Sequence, residues 1–290
     1  MKCDMHVHTL HSGMCTQPVA KKFCRESYSD PDAVYEKLKS LGMDLVTITD
    51  HDSIGAADRL RRHPDFFSSE EITCQMPSGT KVHIGVYDLS ERQHIELQRR
   101  RDDFFSLMAY IGEQRLLCSV NHLFSGLTGR RDRFDYVWFE QMFPCLETRN
   151  GALLEMGNQR AAEFARMAGK AVVAGSDAHT LWSVGSAYTS VPEARTKDEF
   201  LSGLRAGHGV ALGSSGSYWK LTRDILGICC SLMKERPWAL ALSPLMAAVP
   251  AAILVNYGWE VLFASYWFRK AMGVGRAEAL APLRPRRVVA

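Results

Sequence analysis

The feature that most constrains this chain is Met5-His6-Val7-His8, reached within the first eight residues. In an extended strand, side chains alternate between faces, so His6 and His8 point the same way and can share one ion. The pair has a counterpart far along the chain in Ser176-Asp177-Ala178-His179, again with two ligand-type residues at i and i+2. Between them lie Asp50-His51-Asp52, Glu70-Glu71, His83 and Asn121-His122, each following or ending an apolar, β-prone run. Imidazoles and carboxylates at successive strand ends are what a polynuclear metal site at the rim of a β/α barrel requires. His83 or His122 alone would more often be a hydrogen-bonded core residue. The whole set together reads as a metal-dependent hydrolase.

The rest of the chain alternates strands and helices. Residues 9–29 form a long polar loop, and Asp30-Pro31 opens a helix with a buried stripe of Val34, Leu38 and Leu41, closed by Gly42. Residues 44–49 are a buried strand and 55–62 a short helix. Two strands meet at Pro77-Ser78-Gly79, with Glu71 on the first facing inward, Glu70 exposed and His83 on the second. Ser90 caps one long helix running to Gln114. Further strands fall at 116–120, 145–151, 171–175, 188–191 and 209–212, with helices at 136–143, 159–168 and 197–206 between them. This pattern describes an α/β barrel-like domain over residues 1–216, with a different kind of segment over 217–290. Asp50 and Asp52 are expected to orient His51, while His11, His63, His94 and His208 lack a motif context.

Charge is unevenly spread. The formal net charge is +3, yet residues 219–290 carry ten Lys/Arg against four Asp/Glu, so the basic surplus belongs to the tail. That balance alone does not imply nucleic acid. Eight cysteines show no C-x-x-C spacing and no apolar leader opens the chain, which fits a reducing cytosol better than zinc ligation by sulfur. Neither a GxSxG elbow nor a P-loop is present.

The order His6-x-His8, Thr-Asp-His51-Asp, Glu71, His83, Asn-His122 and Ser-Asp177-Ala-His179 resembles the PHP family, named for polymerase and histidinol phosphatase. Leu146-Glu147-Thr148-Arg149-Asn150-Gly151 is similar to that family's Glu-x-x-Asn-Gly stretch. The resemblance covers about residues 3–213. It implies a distorted (β/α)7 barrel, two or three divalent ions (Mn, Zn or Fe) and a phosphoesterase acting on a small phosphorylated substrate, phosphomonoesters first. A phosphodiesterase or nuclease, and a non-catalytic metal-binding module at a membrane, are the alternatives. Carried over by position, His6, His8, Glu71 and Asp177 hold the first ion. Glu71 bridges to a second completed by His83 and His122, and His51 and His179 belong to a third. The family also supplies an Asp or His a few residues after the first motif, where this chain has Gly13 and Met14. The third ion is therefore weakly held, absent, or completed by His11 or by a later loop residue. Asp177 is the residue expected to carry the chemistry. Arg149, Asn150, Arg130 and Arg131 are candidates for substrate contact.

The tail differs in kind. Residues 237–268 contain one charge, Glu260, and 237–259 contain none over 23 residues. Length suits a bilayer, but Pro244 and Pro250 interrupt the run. Basic residues on both sides favour both ends on the cytoplasmic face, as in an interfacial or re-entrant hairpin. The alternative is a helical appendage packed on the barrel or on a second copy. Arg284-Pro285-Arg286-Arg287 is read as an unstructured basic end.

Overall fold

The computed structural model describes residues 1–15 and 20–273. The basic end at 284–287 lies outside the described residues. The order of elements is β1 (Lys2–Cys3), α1 (Pro31–Ser40), β2 (Val46–Ile48), α2 (Ala57–Leu60), β3 (Phe66–Gln75), β4 (Lys81–Tyr87), α3 (Glu91–Arg100), α4 (Phe104–Glu113), β5 (Leu117–Val120), α5 (Arg133–Met142), β6 (Cys145–Asn150), α6 (Glu155–Ala168), β7 (Ala171–Gly175), β8 (Ala187–Ser190), α7 (Lys197–Arg205), β9 (Val210–Gly213), α8 (Tyr218–Glu235) and α9 (Val249–Gly273).

Strands β2 to β7 form one curled sheet in chain order, and β1, β8 and β9 form a second. All neighbours in the larger sheet run parallel except β4, which is antiparallel to both β3 and β5. The chain beyond β1 closes the ring. Met5 N donates to Ala174 O at 3.3 Å and Asp177 N to His6 O at 2.6 Å, while Thr49 N donates to Val7 O at 2.9 Å from the other side. The result is a distorted seven-stave α/β barrel with an apolar helical appendage. Close approach of the seventh stave depends on Gly175, where an added Cβ would lie 2.3 Å from His6 N.

Period-two alternation sorts the barrel wall. Phe67, Ser69 and Glu71 share one face of β3; Tyr87, Gly85 and His83 share the matching face of β4; Leu117, Ser119 and Asn121 follow on from β5. Register confirms the layers, since Glu71 pairs with Gly85 and Gly85 with Ser119. The interior therefore grades from an apolar floor of Cys3, Met5, Phe67, Tyr87, Leu117 and Val173 to a polar top. The opposite faces, among them Ile72, Ile84, Val86, Val120 and Leu146, pack under α3 to α6.

Three expectations are corrected. The helix from Ser90 to Gln114 is two helices, because the Asp103 carboxylate takes the Phe105 and Ser106 N–H groups and starts α4 afresh. Glu70 is buried: it does face outward, but α3 covers that face and supplies His94 Nδ1 and Gln98 Nε2, each at 2.8 Å. His83 sits near the start of β4, and because that strand runs backwards its start lies beside the carboxyl ends of the others.

Beyond β9, Ser217 caps α8. The uncharged run then divides into a 3-10 stretch, Pro237–Ala248, and α9. Pro250 falls in the first turn of α9, where its missing N–H costs nothing. Ala264, Phe268 and Ala271 of α9 join the barrel's outer core.

Candidate metal centre

Six of the ten histidines and two carboxylates meet at the polar top of the barrel. The ligand atoms fall into four overlapping groups: His6, His8 and Asp177; His6, Glu71 and His122; His51, Glu71 and His83; and His8, His51 and His179. The eight residues expected from the sequence to be ligands are thus brought together. Glu71 lies at the centre. Its Oε1 stands 3.2 Å from both His6 Nε2 and His122 Nε2, and its Oε2 stands 3.1 Å from His51 Nδ1 and 3.5 Å from His83 Nδ1. One carboxylate thus faces two sets of imidazoles, as a bridging ligand must. The structure distributes its partners differently from the carried-over scheme, since His122 groups with His6 and His83 with His51.

Hydrogen bonds behind the ligands fix their tautomers. His6 Nδ1–H donates to Glu147 Oε1 at 2.7 Å, which leaves Nε2 as the nitrogen turned toward the other ligands. The Ser12 hydroxyl donates to Asp50 Oδ1 at 2.7 Å, so it accepts from His8 Nδ1–H at 3.0 Å and frees His8 Nε2 in the same way. These two Nε2 atoms are 3.0 Å apart, with Asp177 Oδ1 at 3.5 and 3.3 Å from them. Two such nitrogens at that distance repel unless a proton or a metal cation lies between them. His179 Nδ1–H donates to its neighbour's carbonyl, Asp177 O, at 3.0 Å. Its Nε2, with His51 Nδ1, His83 Nδ1 and Glu71 Oε2, is buried without a hydrogen-bond partner. Buried polar atoms are ordinarily satisfied, so this donor set fits divalent ions.

Electrostatics agree with that fit. Burial pulls the His8 imidazole down to about 4, with the neighbouring His179 adding to the shift, and burial drives His51 well below its ordinary value. Both are therefore neutral near pH 7, the form that binds metal. Burial opposes ionisation of Glu71 and Asp177, but the surrounding imidazoles outweigh it and hold both carboxyls well below the usual range. His6 goes the other way: burial pulls it down, yet Glu71, Asp177 and Glu147 together raise it. Two ligands, His122 (φ 34°) and Asp177 (φ 49°), sit in the left-handed region that non-glycine residues rarely adopt. Strain of that kind persists where surrounding contacts dictate it.

Sequence reasoning missed several supports. Glu147 holds His6 and also accepts from His122 N at 2.8 Å, yet it was visible only as part of a motif. Asn121 Nδ2 donates to Glu71 Oε1 at 2.8 Å. Glu26 comes from the long first loop and places Oε1 3.8 Å from His179 Nε2; nothing in its local sequence marks it. It is the later loop residue beside the third group, whereas His11 packs against Gly55. Asp50 acts on His8 through Ser12 and also touches His51 N through that same hydroxyl. Asp52 turns instead to Thr73 N and Arg101.

The four residues expected to touch substrate lie in different surroundings. Asn150 is in the site, but its amide donates to Glu147 Oε2 and Asp177 Oδ2, both at 3.0 Å, so it positions ligands. Arg149 faces Glu155, Gly213 O and Ser215, because β6 bulges between Glu147 and Arg149. Arg131 is buried and donates to Lys81 O, while Arg130 is exposed on the same loop.

Fold and site together define a metal-binding α/β barrel. A family model described as PHP-associated matches residues 155–208, the segment from α6 through Asp177 and His179 to α7. Among solved structures it is similar to PsfC from Pseudomonas syringae PB-5123, with a TM-score of 0.55 and 16% identity over 80% of this chain and 98% of that one. Weaker likenesses include a candidate metal-dependent phosphoesterase from Bifidobacterium adolescentis (TM-score 0.48, 16% identity, 72% and 96% covered). Another is the lesion-specific endonuclease EndoQ from Pyrococcus furiosus (TM-score 0.47, 15% identity, 71% and 56% covered). No curated protein matches the sequence.

Proposed function

We propose that this protein is a metal-dependent hydrolase of phosphate esters, acting first on phosphomonoesters. The observation that carries the reading is the pair of Nε2 atoms on His6 and His8, 3.0 Å apart and flanked by Asp177 and Glu71. Mn, Zn or Fe ions held by the eight ligands would supply Lewis acidity toward a phosphoryl oxygen and acidify a water.

The chain's own residues do the rest. Glu147 and Ser12 aim His6 and His8, and Asn150 pins the Asp177 carboxylate through Oδ2 and leaves Oδ1 toward the imidazoles. Asp177 would carry the chemistry either as a ligand or by taking the proton of an attacking water. The rim is open where His51, His83 and His179 are partly exposed, whereas His6, His8 and Glu71 are sealed from solvent. A phosphate would therefore enter from the side of His51, His83 and Glu26. All eight cysteines are unbridged, and basic residues flank the apolar run on both sides. These support a place in the cytoplasm, with the appendage against the inner face of a membrane.

Elemental analysis of purified protein, coupled to a screen of soluble phosphomono- and diesters, tests the reading. Two or three ions per chain and preferential monoester turnover are expected, with Asp177→Asn losing roughly 10²–10⁴-fold in rate at unchanged circular dichroism. Turnover at the original rate in that variant refutes the role of Asp177, and preferential diester cleavage replaces the substrate class.

A further inference from the structure

The apolar appendage and the metal centre share one end of the barrel. α8 is held there by Lys220, which donates to Gly151 O and Ser186 Oγ, and by Asp224, which accepts from Thr180 and Ser183 just beyond His179. Arg25, the neighbour of Glu26, pairs with Glu235 at 2.7 Å, and Phe23 packs edge-on against Trp238 with ring centroids 5.9 Å apart. On the far side Gly126 N, four residues past His122, donates to the Glu260 carboxylate of α9 at 3.1 Å. The apolar segment thus meets the ligand-bearing rim at two places, next to Glu26 and next to His122.

Its outer face has no cover. The stretch Pro237–Gly273 spans 37 residues and contains an 18-residue window with a mean hydropathy of 2.0, and Leu245, Leu254, Val255 and Leu262 are each 63–75% exposed. Soluble monomers rarely carry so continuous a patch. Lys234 and Arg236 precede it and Arg269 and Lys270 follow it, while Trp238, Tyr257, Trp259 and Tyr266 are exposed along it. Basic ends with interfacial aromatics complement an anionic lipid surface. The helix does not leave the domain, because Phe263, Ala264, Phe268 and Ala271 bury its other face against the barrel. A helix fixed along one side and apolar along the other lies in the interface plane.

We infer that the substrate is the phosphomonoester of a membrane amphiphile, presented to the metal centre from the headgroup layer. This rests on the phosphoesterase reading above and narrows it. With the appendage seated on a bilayer, the rim lies at headgroup depth and a lipid phosphate reaches it by lateral movement. Water adds to phosphorus, the P–O bond to the lipid alcohol breaks, the alcohol takes up a proton and stays in the bilayer, and inorganic phosphate leaves.

The test uses the full chain, metal-loaded, with phosphatidylcholine vesicles containing phosphatidylglycerol and phosphatidic acid, and with a soluble aryl phosphate. The comparison is the triple variant Leu254→Asp, Val255→Asp, Leu262→Asp, whose sites are solvent-facing. Expected are co-sedimentation of the unaltered protein with vesicles, weakened by salt, and release of phosphate from phosphatidic acid. The variant should stay in the supernatant and lose at least tenfold on phosphatidic acid while matching the original on the aryl phosphate. Equal lipid turnover by both proteins overturns the inference, as does a stable dimer by light scattering that covers this face. Aryl phosphate turnover with none on phosphatidic acid overturns it while leaving the phosphoesterase reading intact. Turnover of neither ester removes both.

Discussion

Glu147 Oε1 stands 2.7 Å from His6 Nδ1, and this contact decides which imidazole nitrogen faces the metals. Both side chains are almost wholly buried, so water cannot take the carboxylate's place. Glu147→Gln keeps the shape, but its amide can present N–H toward Nδ1, which then becomes the lone-pair nitrogen and turns Nε2–H toward the ion. Losses of this kind typically weaken metal binding by roughly 10–100-fold. Competition against a chromophoric chelator measures it, and unchanged affinity would remove Glu147 from the centre.

Glu26 faces His179 Nε2 across 3.8 Å, beside the group of His8, His51 and His179. Glu26→Gln should lower the metal content by one ion per chain and leave the ions at Glu71 in place, because Glu26 belongs to none of the groups around Glu71. Elemental analysis at limiting free metal reads this directly. Full stoichiometry in the variant would show that the three histidines suffice without the loop.

Glu71 and Glu70 show what could be read from residue types and where that reading stops. Alternation along β3 correctly turned Glu71 inward, with Phe67 and Ser69 on the same face. The same rule turned Glu70 outward, but alternation cannot say whether the outer face meets solvent or a helix. Here it meets α3. His83 was legible as a ligand, yet not as a residue near the start of a reversed strand, since strand direction is set by pairing with β3 and β5. Arg149 turns toward Glu155 and Ser215, away from Glu147, because a bulge in β6 shifts the alternation just where the motif lies. Glu26 was illegible for a plainer reason: a 21-residue loop carries no periodicity, and tertiary contacts bring Glu26 to His179, among them the Ser27 hydroxyl donating to His179 O and Arg25 pairing with Glu235 of α8.

The pair of His94 and Glu70 should impose a pH dependence separate from metal binding. The hydrogen bond to Glu70 raises the His94 imidazole above its ordinary value, against a smaller opposing effect of burial. A raised folded-state value means that the contribution is present below the unfolded value of about 6.5 and is lost as pH rises through the folded one. Its acid edge comes from Glu70, which burial pushes up and which must stay ionised. His94→Gln in the presence of chelator should therefore destabilise by about 1–2 kcal/mol near neutrality and by less in alkali. Urea unfolding across that range checks it; a deficit that grows with pH would contradict the assignment.

Phe268 decides whether the appendage folds with the barrel or merely rests on it. Its ring meets Phe124 edge-on at 5.6 Å and lies under the Arg160 guanidinium at 4.6 Å, so it bridges α9 to the wall behind His122. Truncating a buried phenylalanine costs about 3–5 kcal/mol. If α9 is part of one cooperative unit, Phe268→Ala should lower the single unfolding transition of the whole chain by that amount. The exposed Leu254→Ser should stay within about 0.5 kcal/mol. A variant whose barrel transition is unmoved while a second, early transition appears would instead show that α9 detaches independently. Glu260 would then leave Gly126 without disturbing the metal centre.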